Sequence, residues 1–221
     1  VGATDAILNT GGVATVTVSG VANAAQGADI DGFSKDVVFN VVDDAVDIAT
    51  AIGFAPEGED LSTFSAQSVT VTGGTVDVAD AAAIQSLGGY VDSTASSYDI
   101  VDSASAIVGA TDAILNTGGV ATVTVDGVAT AEQGAEIDAF IQDVTYNVVD
   151  DANDIAAELS GSNDQLDEAG SVTVTGGTVD VADAAAIQGI SGYVDSTASF
   201  YDIVDSASAI VGATDAILNT G

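Results

Sequence analysis

The chain is 221 residues long and carries 28 Asp and 6 Glu against a single base, Lys35, for a formal net charge of −33 at pH 7, with no Arg, His, Cys, Met or Trp. No imidazole is present to activate a Ser nucleophile and no thiol to attack, and zinc, haem and iron–sulfur sites lose their usual ligands. Nucleic acid and anionic membrane surfaces are disfavoured as partners, because holding phosphates takes Lys and Arg.

In chain order, short β-branched or aromatic runs alternate with Ala-rich helical ones. Strands are expected at Ala14–Val18, Val37–Val42, Ser68–Thr72 and Tyr98–Val101, then at Ala121–Val125, Val144–Val149, Ser171–Thr175 and Tyr201–Val204. A helix is expected over Asp77–Leu87, with Val76, Ala79, Ala83 and Leu87 along one side and Gly88-Gly89 as its stop. A second is expected over Ser103–Leu115, with Ala104, Ile107, Thr111 and Ile114 on one face, closed by Asn116 and Gly118. Strand-to-strand spacing of about 23 to 30 residues matches one strand plus one crossover helix.

The eleven residues VGATDAILNTG occur at Val1–Gly11, Val108–Gly118 and Val211–Gly221, at intervals of 107 and 103 residues. The register changes by four between Ile52 and Ser68, and the rest keeps step. The chain therefore reads as a window on a longer array: residues 1–11 end one repeat, 12–118 form repeat one and 119–221 form repeat two. Alternating strands and helices give an α/β class with a parallel sheet. Units too small to bury their own apolar faces favour a solenoid of stacked βα coils built from two tandem repeats of about 105 residues, with right-handed crossovers. Two compact α/β domains in tandem are the alternative. Because the ends share one phase of the repeat and carry no cap, a further copy could stack there.

The most specific local motif is the strand-to-helix junction at Val41–Ile48, Ile100–Ile107, Val148–Ile155 and Ile203–Ile210. Asp or Ser at such a junction is expected to cap the helix, accepting from a first-turn amide, and Asp102 and Asp205 are read in that role. The junctions with Asp43, Asp44 and Asp47, and with Asp150, Asp151 and Asp154, hold more carboxylates than a cap requires. Charges about 6 Å apart repel by roughly 0.7 kcal/mol in water. Short Asp side chains supply oxygen ligands to hard cations, so calcium is the expected counter-ion. Asp77, Asp80, Asp180 and Asp183, at the starts of the VDVADAAAIQ helices, together with Asp102 and Asp205, complete the candidate ligand set. A solvated acidic coat is the alternative reading.

The pattern Tyr98-x-Ile100-x-Asp102-Ser103-Ala104-x-x-Ile107 recurs at Tyr201–Ile210 and more loosely at Phe39–Ile48 and Tyr146–Ile155. With the VDVADAAAIQ helices at Val76–Gln85 and Val179–Gln188, it resembles the tandem repeats of giant bacterial surface and secreted proteins of adhesin-like, S-layer-like or filament-forming kinds, often calcium-associated. The resemblance implies a structural, non-enzymatic role outside the cell or at its surface, with copies of itself and divalent cations as partners. The chain departs from calcium-binding β-roll repeats in lacking a GGxGxD nonapeptide.

Two ligand-binding features stand beside this reading. Thr15/Thr17, Thr70/Thr72, Thr122/Thr124 and Thr173/Thr175 put hydroxyls on one face of a strand, an array that could meet ice or a polysaccharide. The loop Gly53–Gln67, with Pro56, Glu57, Glu59 and Asp60, differs most between copies, and such loops on rigid scaffolds carry recognition. Glycoside hydrolysis is disfavoured by the scarcity of aromatic sugar platforms, with five Tyr, six Phe and no Trp. No apolar run is long enough to span a bilayer.

Overall fold

The computed structural model describes residues 5–53, 65–160 and 166–219. In chain order the elements are α1 (Asp5–Leu8), β1 (Val16–Thr17), α2 (Ala24–Asp31), β2 (Val37–Val38), β3 (Asn40–Asp43), α3 (Ala45–Gly53), β4 (Ser68–Val76), α4 (Val78–Ser86), β5 (Ser97–Asp102), α5 (Ala104–Gly109) and α6 (Asp112–Leu115). There follow β6 (Val120–Val125), α7 (Ala131–Asp138), β7 (Val144–Thr145), β8 (Asn147–Asp150), α8 (Ala152–Leu159), β9 (Ser171–Val179), α9 (Val181–Gln188), β10 (Phe200–Ile203), α10 (Ala207–Gly212) and α11 (Asp215–Leu218). The chain is α/β, and the strand pairings that define its sheets are parallel. It divides into two compact units, one of residues 1–101 and 111–123, the other of residues 102–110 and 124–221.

In the first unit β3 pairs with β4 from Asn40↔Ser68 to Asp43↔Val71, and β4 pairs with β5 from Thr72↔Ser97 to Val76↔Ile100. The expected strand Ser68–Thr72 runs on to Val76 because Gly73 and Gly74, at φ 127° and 92°, form a bulge between the two registers. A Cβ on Gly74 would sit 3.1 Å from the Ala45 amide nitrogen, so glycine lets β4 pass close over the start of α3. The expected strand Val37–Val42 is broken at Phe39, whose side chain is buried and whose carbonyl accepts from the Gln67 amide; β2 pairs with β1, and β3 with β4.

Val41, Val69, Val71, Ala45, Ala81 and Ile84 are fully buried between the strands and α2, α3 and α4. Alanine at these helix positions permits close approach, while each buried Ile or Val contributes about 1.5–3 kcal/mol by leaving water. The face of α4 differs from the expected one. Ala81 and Ile84 point inward, Ala79 is exposed and Ala83 half-buried. The capping hydrogen bond from the Asp80 amide to Asp77 starts the helix at Val78 and sets that phase.

The second unit repeats these solutions. β8 pairs with β9 from Asn147↔Ser171 to Asp150↔Val174, and β9 pairs with β10 from Thr175↔Phe200 to Val179↔Ile203. Its core is Val148, Val172, Val174, Ala152, Ile155, Ala184 and Ile187, each fully buried. Gly176 and Gly177 form the equivalent bulge, with a Cβ on Gly177 placed only 2.9 Å from the Ala152 nitrogen.

The expected helix Ser103–Leu115 is two helices. Ala110 is extended, at ψ 166°, after Gly109, and Thr111 opens α6. The break resets the helical phase, so Leu115 is buried, Ile114 is half-buried and Thr111 is exposed. Among the described residues no helix is long and apolar enough to cross a membrane.

Candidate functional site

Carboxylates gather where strands hand over to helices. Asp43 ends β3, and both its oxygens accept backbone amides: Oδ1 that of Asp44 at 3.0 Å, Oδ2 that of Ala24, the first residue of α2, at 2.9 Å. Asp44 accepts from the Asp47 amide at 2.9 Å. The second copy keeps the arrangement, with Asp150 accepting from Asp151 at 2.9 Å and from Ala131, the first residue of α7, at 2.9 Å. Asp151 caps α8 by accepting from Asn153 and Asp154.

In each cluster three carboxylate oxygens lie within 4.8 Å of one another, and among the described residues these are the only such triplets. The Asp44 carboxylate, and after it that of Asp43, raises the pKa of Asp47 above the usual aspartate value. Asp151 and then Asp150 do the same to Asp154, aided by burial and by Glu132. These are the shifts expected of like charges held together with no opposite charge nearby. An oxygen-only donor set suits a hard cation, and Asp47 and Asp154 are the exposed members of the two triplets. Asp43 and Asp150 have less to offer, since each oxygen already accepts an amide.

The remaining candidates are dispersed. Asp77 caps α4 through the Asp80 amide at 2.8 Å, and Asp180 caps α9 through Asp183 at 2.9 Å. Burial, and then the Asp77 charge, raises the pKa of Asp80. Asp102 and Asp205 are not the helix caps they were expected to be. The caps are Ser103, accepting from Ala106, and Ser206, accepting from Ala209. Asp102 lies one residue too early and accepts from the Ser103 amide at 2.7 Å. Asp205 accepts from Ser206 at 2.6 Å and reaches Val181, the first residue of α9, at 3.2 Å.

A rule emerges that the local motif did not reveal: the carboxylates of Asp43 and Asp150, at strand ends, and of Asp205, two residues past β10, bond the first amide of the preceding helix, 19 to 24 residues earlier. The favourable contact is a charge against the positive end of that helix. Other ties also escaped the sequence reading. Buried Ser96 and Ser199 accept from the Val71 and Val174 amides at 3.2 Å. Gln85 donates to the Tyr98 hydroxyl at 2.6 Å and to the Ile114 carbonyl at 2.9 Å; Gln188 does likewise to Tyr201 and Ile217. The recurrence of Ser and Gln at matching positions of both copies was the available signal.

Thr15, Thr17, Thr72, Thr122 and Thr175 are exposed, whereas Thr70, Thr124 and Thr173 are half-buried. Thr122 donates to the Asp99 carboxylate at 2.6 Å. Of the variable loop Gly53–Gln67, residues 54–64, including Pro56, Glu57, Glu59 and Asp60, lie outside the described residues. No family model, no curated protein and no solved structure matches the chain.

Proposed function

We propose that this chain is a structural, non-enzymatic segment of an extracellular or cell-surface repeat protein, a solenoid of stacked βα coils that forms a stiff rod, layer or filament. The observation that carries the reading is the recurrent tie from an Asp at or just past a strand end to the first amide of the preceding helix, at Asp43, Asp150 and Asp205. Polar groups conserved between the two copies hold successive strand-and-helix units in register instead of converging on a reacting centre. The composition supports the same conclusion, with no His, Cys or Arg.

A solenoid predicts that the maximum dimension in small-angle X-ray scattering grows by a constant step when residues 119–221 are duplicated once and then twice in tandem. Compact domains on flexible tethers would instead give an expanding, structureless distance distribution, and that result would sink the reading.

Calcium belongs to this proposal as the counter-ion of Asp43, Asp44 and Asp47 and of Asp150, Asp151 and Asp154. The raised pKa of Asp47 and of Asp154 supports it, because a cation relieves the repulsion that raises them. Thermal melting is compared with and without calcium at fixed ionic strength. Stabilisation by calcium beyond that given by sodium supports specific ligation, whereas equal effects leave only a screened acidic coat.

A further inference from the structure

The chain holds two Asp-Gly dipeptides, Asp31-Gly32 and Asp126-Gly127. Asp followed by Gly is the pair most open to attack by a main-chain nitrogen on the carboxyl before it, because glycine has no β-carbon to shield its amide. The fold treats the two pairs differently.

Asp31 ends α2, and Gly32 follows it in helical conformation at φ −68° and ψ −6°. The Gly32 amide donates to the Ala28 carbonyl at 3.1 Å, and Asp31 Oδ1 accepts from the Ser65 amide at 3.0 Å. Nucleophile and electrophile are both engaged, so bringing them together breaks two hydrogen bonds and the end of the helix.

Asp126 and Gly127 lie just past β6 in an exposed turn. Gly127 is at φ 92°, and a Cβ built on it would meet nothing within 4 Å. Among the described residues the Asp126 carboxylate accepts no hydrogen bond and the Gly127 amide donates none. Nor does the turn require the carboxylate. The matching turn of the earlier copy is Ser19-Gly20, with Gly20 at φ 100°.

We infer that Asp126-Gly127 is a site of spontaneous self-modification, at which the folded chain converts Asp126 to isoaspartate through a cyclic succinimide. The Gly127 nitrogen bonds to Cγ of the Asp126 carboxyl group. A Cγ–O bond breaks, and its oxygen leaves as water with the carboxyl proton and the amide proton. One water then opens the ring. Addition at Cγ returns aspartate. Addition at the main-chain carbonyl breaks that carbon's bond to the Gly127 nitrogen, so the main chain runs through the β-carbon and an α-carboxylate is freed. Atoms and charge balance over the two steps, and water is the sole co-reactant.

The consequence falls on a short link. Residues 126–128 connect Val125 to Ala129, both buried. At one end the Asp126 amide donates to the Asp102 carbonyl at 2.7 Å. At the other, the Ala129 amide donates to the Asn147 carbonyl at 2.8 Å, and the Ala129 carbonyl accepts from the Val149 amide at 3.0 Å. Isomerisation inserts one methylene between these two pinned ends, so the turn must bulge or one of the bonds must lengthen. The inference does not depend on the scaffold reading, since it concerns one turn within the second unit.

The test follows the unaltered chain, verified as folded by circular dichroism, during incubation at physiological pH and temperature in water labelled with heavy oxygen. Mass spectrometry with electron-based fragmentation then reads the digested chain. Peptides covering Asp126 should take up label and show isoaspartate at least tenfold faster than peptides covering Asp31. The same incubation in guanidinium chloride should remove the difference, because unfolding releases the Gly32 amide and the Asp31 carboxylate. Equal rates at the two sites in the folded chain, or no isoaspartate at Asp126 over a period that converts Asp31 in the unfolded chain, would overturn the inference. Asp126→Ser, which copies the earlier turn, supplies the second readout. The aged unaltered chain should melt below the fresh one, and aged Asp126→Ser should melt with its own fresh sample. Unchanged melting of a converted chain would overturn the strain assigned to the link.

Discussion

Tyr98 and Tyr201 begin identical stretches, yet Tyr98, Ile100 and Ile107 are buried and Tyr201, Ile203 and Ile210 only half-buried. Residues 119–126 lie along the first stretch, with the Tyr98 amide donating to the Gly119 carbonyl and the Asp126 amide to the Asp102 carbonyl, and burial follows that neighbour. A second contrast lies at the corner before β3 and β8. In the later copy Tyr146 donates to Asp138, which also accepts from the Leu166 amide at 2.6 Å; burial and then the Asp138 hydrogen bond raise the pKa of that Tyr146 phenol. In the earlier copy Phe39 takes the tyrosine's place, and Asp31 accepts from the Ser65 amide at 3.0 Å. Phe39 has no phenol hydroxyl to offer Asp31.

The largest test of the first contrast is Ile107→Ala against Ile210→Ala. Ile107 is fully buried, so its truncation should cost about 2–5 kcal/mol, and that of half-buried Ile210 less than half as much. Urea denaturation measures both, and equal losses would refute the idea that the following strand decides burial. Ser96→Ala and Ser199→Ala are the matched control. Both serines are 2% exposed and accept a strand amide, so each substitution should cost about 1–3 kcal/mol by orphaning that amide. A large difference between them would mean that the two matching serines do not carry equal weight in their units.

The corner contrast is sharpened by Tyr146→Phe, which copies the earlier repeat. Loss of one partly buried hydrogen bond to a carboxylate should cost about 1–2 kcal/mol in the same assay. No measurable loss would show that Asp138 is held by the Leu166 amide alone.

The smallest effect is expected for Asp47→Asn and Asp154→Asn, which should raise the melting temperature at neutral pH and low salt. A carboxyl whose folded pKa lies above its unfolded value destabilises the fold once it is charged. The penalty is complete above the raised folded value, shrinks as pH falls through it, and is gone below the ordinary aspartate value. The advantage of Asn should follow that course and shrink with added salt. A gain that persists in acid would assign the effect to something other than charge.

Strand positions were largely legible because Val, Thr and Tyr in alternation suit a half-buried pleat and little else. The starts expected at Asp77 and Ser103 were legible to within a residue, whereas those of α2, α6 and α7 were not, nor was which residue caps. Ser103 and Asp102 are adjacent and both suited to a cap, and only backbone geometry assigns the bond to the serine. The acidic triplets were legible because their members fall within one helical turn. The commitment of the Asp43 and Asp150 oxygens was not, because their partners lie 19 residues earlier, on another helix.

By itself the sequence determined the repeated segments, the α/β alternation and the places where its 34 carboxylates crowd. These follow from composition and from contacts within a few residues, where covalent spacing dictates what can meet. Only the tertiary structure decided that the Gly-Gly pairs carry a strand across a helix start, that one expected helix is two, and that Tyr98, Ile100 and Ile107 are buried where Tyr201, Ile203 and Ile210 are half-buried. Those outcomes depend on which distant segment lies alongside, and hydrophobic burial is a property of a residue's neighbours, not of the residue alone.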